Sequence, residues 1–271
     1  MVAVGTLKKL DEKGVGKALL KEARLENGGP SCTLLQFADD KGQMLSARIY
    51  QAEKEDNPHF LYFPAEFETD ETLELLAKGL NSVGFTLIAF EYRGTGQSQG
   101  EFSLEDVFKD AETFYNAVKL WMEQQGRKGD LVVMGRSFGC TVAINLAVNH
   151  QKEILCMVLE SAFDSGKVFL ERSGIDVSNI PEEPIFENRA MMAEFKKPVM
   201  FIHSPRDVIQ SLTEVEWLVA ESRSKATQFQ IAPSGTRQEL ANQVGDLYME
   251  VVEQWVNLRR GIRPPRKRPR P

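Results

Sequence analysis

Gly135-Arg136-Ser137-Phe138-Gly139 is the stretch of this chain whose residue types and spacing point to a reaction. A serine attacks a carbonyl carbon only if three conditions hold. Its hydroxyl must stand exposed at a sharp turn, a base must take its proton, and N–H donors must face the oxyanion that forms. Glycines two residues before and two after the serine suit a strand that breaks into a helix, the arrangement called a nucleophile elbow. The apolar run Leu131-Val132-Val133-Met134 supplies the strand, and Phe138 to His150 the helix.

The base is harder to find. Of the three histidines, His59 opens a strand at the end of the sheet opposite the elbow. His150 closes the elbow helix, about 18 Å from its start for a helix of about twelve residues. His203 ends a late strand and is predicted to be a structural hydrogen-bonder. The elbow hydroxyl is therefore expected to have no neighbour able to take its proton.

The elements that must position this serine follow from periodicity and turn signals. Residues 6 to 25 predict a charged amphipathic helix with Val15, Leu19, Leu20 and Ala23 as its apolar stripe, weakened by Gly14 and Gly16. Cys32 to Ala38 and Met44 to Gln51 flank the turn cluster Asp39-Asp40-Lys41-Gly42 and predict an antiparallel hairpin. Strands are then expected at Phe60 to Phe63, Phe85 to Phe90, Leu131 to Met134, Ile154 to Glu160, Val199 to His203 and Thr227 to Ile231. Helices are expected at Thr69 to Val83, Leu104 to Glu123, Phe138 to His150, Leu212 to Glu221 and Glu239 to Arg259. The fold class is α/β: a mostly parallel twisted sheet of about eight strands with helices on both faces, an antiparallel hairpin at its start. Residues 163 to 196, broken by Gly174, Pro181 and Pro184, interrupt the alternation and predict a small cap insertion. The expected organisation is an N-terminal helical arm over 1–27, the main domain over 28–258 and a basic Pro-rich tail over 259–271.

Composition bounds the rest. A chain of 271 residues that is 42% hydrophobic buries a large core in one such domain. No segment has the form of a signal peptide or membrane span, and Cys32, Cys140 and Cys156 lie in or beside apolar segments. The expectation is a cytoplasmic protein with reduced thiols. The formal net charge of −6 conceals an asymmetry. The tail holds seven Arg or Lys and no acid, which leaves the body with 26 basic against 39 acidic residues. Such a tail is an electrostatic contact for an anionic surface or simply a solvated terminus, and without a recognition motif no specific nucleic-acid binding is expected. No cofactor or metal is expected either. Gly94, Gly96 and Gly100 miss the spacing of a dinucleotide loop, no P-loop lysine follows, and no His/Cys cluster has metal-ligand spacing.

Two further stretches carry a family resemblance. Phe90-Glu91-Tyr92-Arg93-Gly94-Thr95-Gly96-Gln97-Ser98-Gln99-Gly100 resembles the D-Y-R-G-x-G-x-S-x-G loop of α/β-hydrolases. Pro198-Val199-Met200-Phe201-Ile202-His203-Ser204-Pro205-Arg206-Asp207 resembles their late strand and acid-bearing loop. From about Cys32 to Leu258 the chain is similar to the small-cap, esterase-like and peptidase-like members of that superfamily. The resemblance implies Ser137 as nucleophile, Asp207 as acid, and the backbone N–H groups of Phe138 and Glu66 as the oxyanion hole. It also implies a histidine just before the last helix, where Ile231-Ala232-Pro233-Ser234-Gly235-Thr236-Arg237-Gln238 places Arg237 instead. Asp164 is an alternate acid position.

Arginine cannot act as the base, since its guanidinium stays protonated and offers donors only. Arg237 is expected to pair with Asp207. The loop Pro64-Ala65-Glu66-Phe67 departs from the family's His-Gly pattern, and a carboxylate at Glu66 would repel an oxyanion unless turned away or paired. The implied function is an α/β-hydrolase-fold protein with weak or no classical hydrolase activity that binds a small anionic or acyl ligand. The alternatives are an active serine hydrolase (carboxylesterase, thioesterase or peptidase-like) for a small ester, thioester or amide, and a non-catalytic scaffold.

Overall fold

The computed structural model describes residues 4–26, 31–178, 185–238 and 240–263. Most of the basic tail, the middle of the expected cap and residue 239 lie outside the described residues. The described chain begins with α1 (Val4–Glu12) and α2 (Val15–Leu19), and a 3-10 turn at Leu20–Glu22 precedes β1 (Thr33–Ala38) and β2 (Met44–Tyr50). Next come β3 (His59–Phe63), α3 (Asp70–Ser82), β4 (Thr86–Glu91), α4 (Val107–Gln124), β5 (Leu131–Arg136) and α5 (Phe138–Asn149). The chain continues through β6 (Ile154–Glu160), α6 (Gly166–Arg172), α7 (Asn188–Glu194), β7 (Val199–His203), α8 (Leu212–Glu221) and β8 (Thr227–Ile231). It closes with α9 (Leu240–Val244) and α10 (Asp246–Arg259).

Two expected helices are each divided. The N-terminal one breaks at Gly14, which adopts φ 76° ahead of α2. The C-terminal one breaks at Gly245, φ 59°, between α9 and α10. Both are left-handed backbone positions that an L side chain resists. The helix expected from Leu104 starts at Val107 because the 103–105 turn is bound by an acid from α1. Asp11 accepts from the backbone N–H groups of Leu104 (2.9 Å) and Glu105 (3.0 Å) and from the Ser103 hydroxyl (2.9 Å).

The strands lie in the order β1-β2-β4-β3-β5-β6-β7-β8. β2 runs antiparallel to both neighbours, and every other pairing is parallel. The central strands are buried at every position, as strands covered on both faces must be. Period-two alternation sorts their side chains into two cores. Leu61, Phe63, Ile88, Phe90 and Val133 pack with residues of α1, α2, α4, α5 and α7. Phe60, Tyr62, Leu87, Val132 and Met134 pack with α3 and α10 on the other side. β3 and β5 are neighbours, but the chain leaves them in opposite directions across the sheet. The crevice beyond their C-terminal ends is thus the switch point where α/β sheets hold ligands.

His59 sits at the other end of β3, fully buried and edge-on to Trp121 at 6.0 Å between ring centroids. Burial, helped by the Arg127 charge, pushes its pKa down to about 4. The folded protein therefore keeps this imidazole neutral while the unfolded chain protonates near pH 6.5. The unfolded state binds the extra proton between those values, so stability is present at neutral pH and lost as pH falls from about 6.5 towards about 4. Urea unfolding at pH 7 and pH 4.5 is expected to show a loss larger in the wild type than in His59→Phe by on the order of 2 kcal/mol. Equal losses would remove His59 as the source.

Candidate functional site

Ser137 follows β5 with φ 53° and ψ −119°, a conformation rarely adopted by non-glycine residues. The two motif glycines are demanded by close approaches. A Cβ on Gly139 would lie 2.0 Å from the Phe63 carbonyl oxygen, and one on Gly135 2.5 Å from the Gly139 carbonyl oxygen. The Ser137 N–H donates to the Glu160 carbonyl (2.9 Å), which ties the elbow to the end of β6.

The hydroxyl is fully buried, and its partners are not the expected ones. Ser137 Oγ donates to Glu66 Oε2 at 2.6 Å. The same Oε2 accepts the Phe138 backbone N–H at 3.1 Å. Arg237 Nη2 donates to Glu66 Oε1 at 2.8 Å and also to Ser137 Oγ. Ser137, Phe138 and Arg237, the residues expected as nucleophile, oxyanion donor and replacement of the base, are thus brought together around the Glu66 carboxylate. Sequence reasoning brought the Glu66 backbone to the oxyanion hole but missed that its side chain turns in. The acceptor of the Ser137 hydroxyl is thus a carboxylate, a contact that sequence reasoning did not foresee.

Arg237 is 5% exposed, and its guanidinium lies over the rings of Phe67 (5.1 Å) and Phe169 (5.5 Å). Its backbone is held by the arginine inside the motif. Arg136 Nη2 donates to the carbonyls of Arg237 (3.1 Å) and Gln238 (2.7 Å). Arg136 in turn pairs with Glu68 at 3.2 Å and Glu160 at 2.7 Å. Burial pushes the Glu160 carboxyl pKa up, opposed by Arg136 and by the Tyr248 hydroxyl that donates to it. Glu68 accepts from the Tyr62 hydroxyl (2.5 Å), the Thr72 hydroxyl (2.6 Å) and the Ala65 N–H (3.3 Å). The Tyr92 hydroxyl donates to the Pro64 carbonyl at 2.9 Å. Those bonds set the path of the 64–69 loop, and that path points Glu66 at the elbow.

Asp207 is not Arg237's partner. Its Oδ1 accepts the backbone N–H groups of Ile209 (2.9 Å) and Gln210 (3.0 Å), and its Oδ2 stands 4.0 Å from His203 Nε2. The expected Arg237–Asp207 pair fails because Glu66 already meets the guanidinium. His203 donates from Nε2 to the Gln210 carbonyl at 2.9 Å, and burial lowers its pKa against the pull of Asp207. His150 bonds to Glu112 at 2.6 Å and stacks on Tyr115 at 3.9 Å. No histidine hydrogen-bonds to Ser137 among the described residues. Asp164 is engaged with Arg189, at 2.7 and 2.5 Å. Among the described residues no group of three His, Cys, Asp or Glu side chains is arranged to hold a metal ion, and no helix is long and apolar enough to cross a membrane.

Arg136 carries charge compensation for two buried carboxylates and also positions the 237–238 backbone. Arg136→Met is expected to cost about 3–5 kcal/mol of unfolding free energy, the range for breaking a buried pair from one side. A loss below about 1 kcal/mol, measured by chemical denaturation, would contradict this role.

The comparisons agree on the scaffold. The family model of the S33 serine aminopeptidases matches residues 67–170, a span that contains the elbow but neither Asp207 nor Arg237. The Arabidopsis thaliana protein WAV2, described as α/β-hydrolase domain-containing, is 24% identical over 200 residues, which cover 68% of this chain and 64% of that protein. The zebrafish (Danio rerio) lysophosphatidylserine lipase ABHD12 is 37% identical over 71 residues, 26% of this chain and 18% of that lipase. The chain thus spans less than two thirds of the length of either relative. Among solved structures, the Pyrococcus furiosus esterase Pf2001 superposes with a TM-score of 0.71 at 17% identity, covering 87% of this chain and 97% of the esterase.

Proposed function

We propose that this chain, which belongs to the α/β-hydrolase superfamily, keeps the esterase scaffold without classical turnover, as a site closed by its own Glu66 and Arg237. One observation carries this reading: a single carboxylate, Glu66, engages both the Ser137 hydroxyl and the Phe138 N–H. Serine hydrolysis needs that hydroxyl beside a base and that N–H free for the oxyanion. A carboxylate is about two pKa units less basic than imidazole, and here it is also neutralised by Arg237. Its negative charge on the oxyanion donor opposes a second one forming there. Asp207, the acid position, serves its own loop and stands beside His203, which does not hydrogen-bond to Ser137. Loss of the base alone costs on the order of a million-fold in kcat.

The same reading takes 1–27 as an arm, 28–258 as the hydrolase domain with a cap near 163–196, and 259–271 as a basic tail. The same reading keeps a reducing, cytoplasmic setting, in which the buried Cys140 and Cys156 form no disulfide. A second reading, a slow serine hydrolase, draws on one specific contact, the 2.6 Å bond that passes the Ser137 proton towards Glu66.

A fluorophosphonate probe and p-nitrophenyl butyrate separate the two. Wild type is expected to label and turn over no more than Ser137→Ala. Labelling well above that control would establish the slow hydrolase. Arg237→His alone is expected to gain nothing, because Glu66 still covers the oxyanion donor. Combining it with Glu66→Ala is expected to raise ester turnover at least tenfold over either single variant, in keeping with the weight of a freed oxyanion donor.

A further inference from the structure

A cavity of about 420 Å3 opens onto the Glu66–Arg237 pair. Glu66, Phe67, Arg237 and Gln238 line it from the elbow side, α2 and the turn after it from another, and the end of α6 with Val208 and Ile209 from a third. Leu19, Phe67, Ile175 and Ile209 give it an apolar lining, while the exposed Lys21 and Arg172 also border it. This volume falls in the range of small-molecule sites, which pair apolar walls with a few convergent polar groups.

We infer that this cavity binds a carboxylate-headed molecule with an apolar tail, whose head takes the place of Glu66 on the Phe138 N–H, the Ser137 hydroxyl and Arg237. The inference rests on the elbow being a site without turnover. Glu66 marks the position because its contacts are those an external carboxylate would seek: a backbone donor at the start of a twelve-residue helix, a hydroxyl and a guanidinium. Exchange leaves the buried charge unchanged, one carboxylate replacing another beside one arginine. Arg237 has donor capacity to spare, since its buried Nε has no acceptor among the described residues. Glu66 itself lines the cavity, so its side chain has an exit that does not pass through the core. The charged lining sets Lys21, Arg172 and Arg237 against Glu22 and Glu66, which suits an anionic head. A free carboxylic acid of modest chain length fits both lining and charge.

Glu66 competes as an intramolecular ligand at high effective concentration, so the exchange is weak in wild type and strong once its charge is gone. Isothermal titration of the full chain with sodium octanoate, with octanamide as the neutral control, reads this directly. Octanoate is expected to bind Glu66→Gln at least tenfold more tightly than wild type. Adding Arg237→Met is expected to weaken binding by at least tenfold, and octanamide is expected not to bind. Equal binding of octanoate and octanamide, no tightening in Glu66→Gln, or insensitivity to Arg237→Met would each overturn the proposal. Should the double variant not fold, the thermal midpoint of Glu66→Gln decides. A rise with octanoate and none with octanamide supports the exchange, and no rise refutes it. Fluorophosphonate labelling of wild type would sink the non-turnover reading, whereas an unlabelled protein that ignores octanoate sinks only the ligand.

Discussion

A carboxylate taken out of water must be met by donors and a positive charge, and Glu66 is met by a hydroxyl, a backbone N–H and a guanidinium. The Ser137 hydroxyl, the Phe138 N–H and the Arg237 guanidinium all converge on it. The hydroxyl and the N–H share one carboxylate oxygen, and the guanidinium holds the other. Around this contact stand the Ser137 turn at positive φ, the glycines that let α5 approach β3, and the crevice at the switch point of the sheet.

That contact persists because the surroundings fix its members independently. The 64–69 loop is held by Tyr92, Tyr62 and Glu68, so Glu66 leaves a backbone whose path is already set. Arg237 is held by two carbonyl bonds from Arg136 and by the faces of two phenylalanines. Arg136 belongs to the serine motif itself, so the residue beside the nucleophile anchors the loop that carries the arginine. The buried charges form two linked sets. Arg136 serves Glu68 and Glu160, and Arg237 serves Glu66. Removing one cation leaves carboxylates in a low-dielectric space, which is far more costly than losing a surface pair.

Much of the fold was legible because strands covered on both faces are apolar runs bounded by turn residues. Ile154–Glu160 and Val199–His203 have the bounds their composition predicts. The sharp turn at Ser137 was legible too, since glycine, serine and glycine at that spacing after a strand answer to hard steric limits. The absence of a histidine after His203 could be counted. What the sequence did not disclose was the direction of side chains on loops. Glu66 and Arg237 lie 171 residues apart, and nothing in their spacing reveals that they meet. Asp207 was the natural partner for Arg237 by family position, but its carboxylate is engaged by the backbone of its own turn. Gly14 was visible as a weak point and Gly245 was not, and at both it is the positive φ adopted there that divides the helix.

The account depends on Glu66 and Arg237 acting as one unit at the elbow, and a double-mutant cycle on unfolding free energy measures that most directly. Glu66→Gln, Arg237→Met and the double variant are expected to give a coupling energy of about 1–3 kcal/mol, with the double variant less destabilised than the sum of the singles. Additivity within about 0.5 kcal/mol would mean that the carboxylate and the guanidinium do not hold each other, and the closed elbow would fall with them.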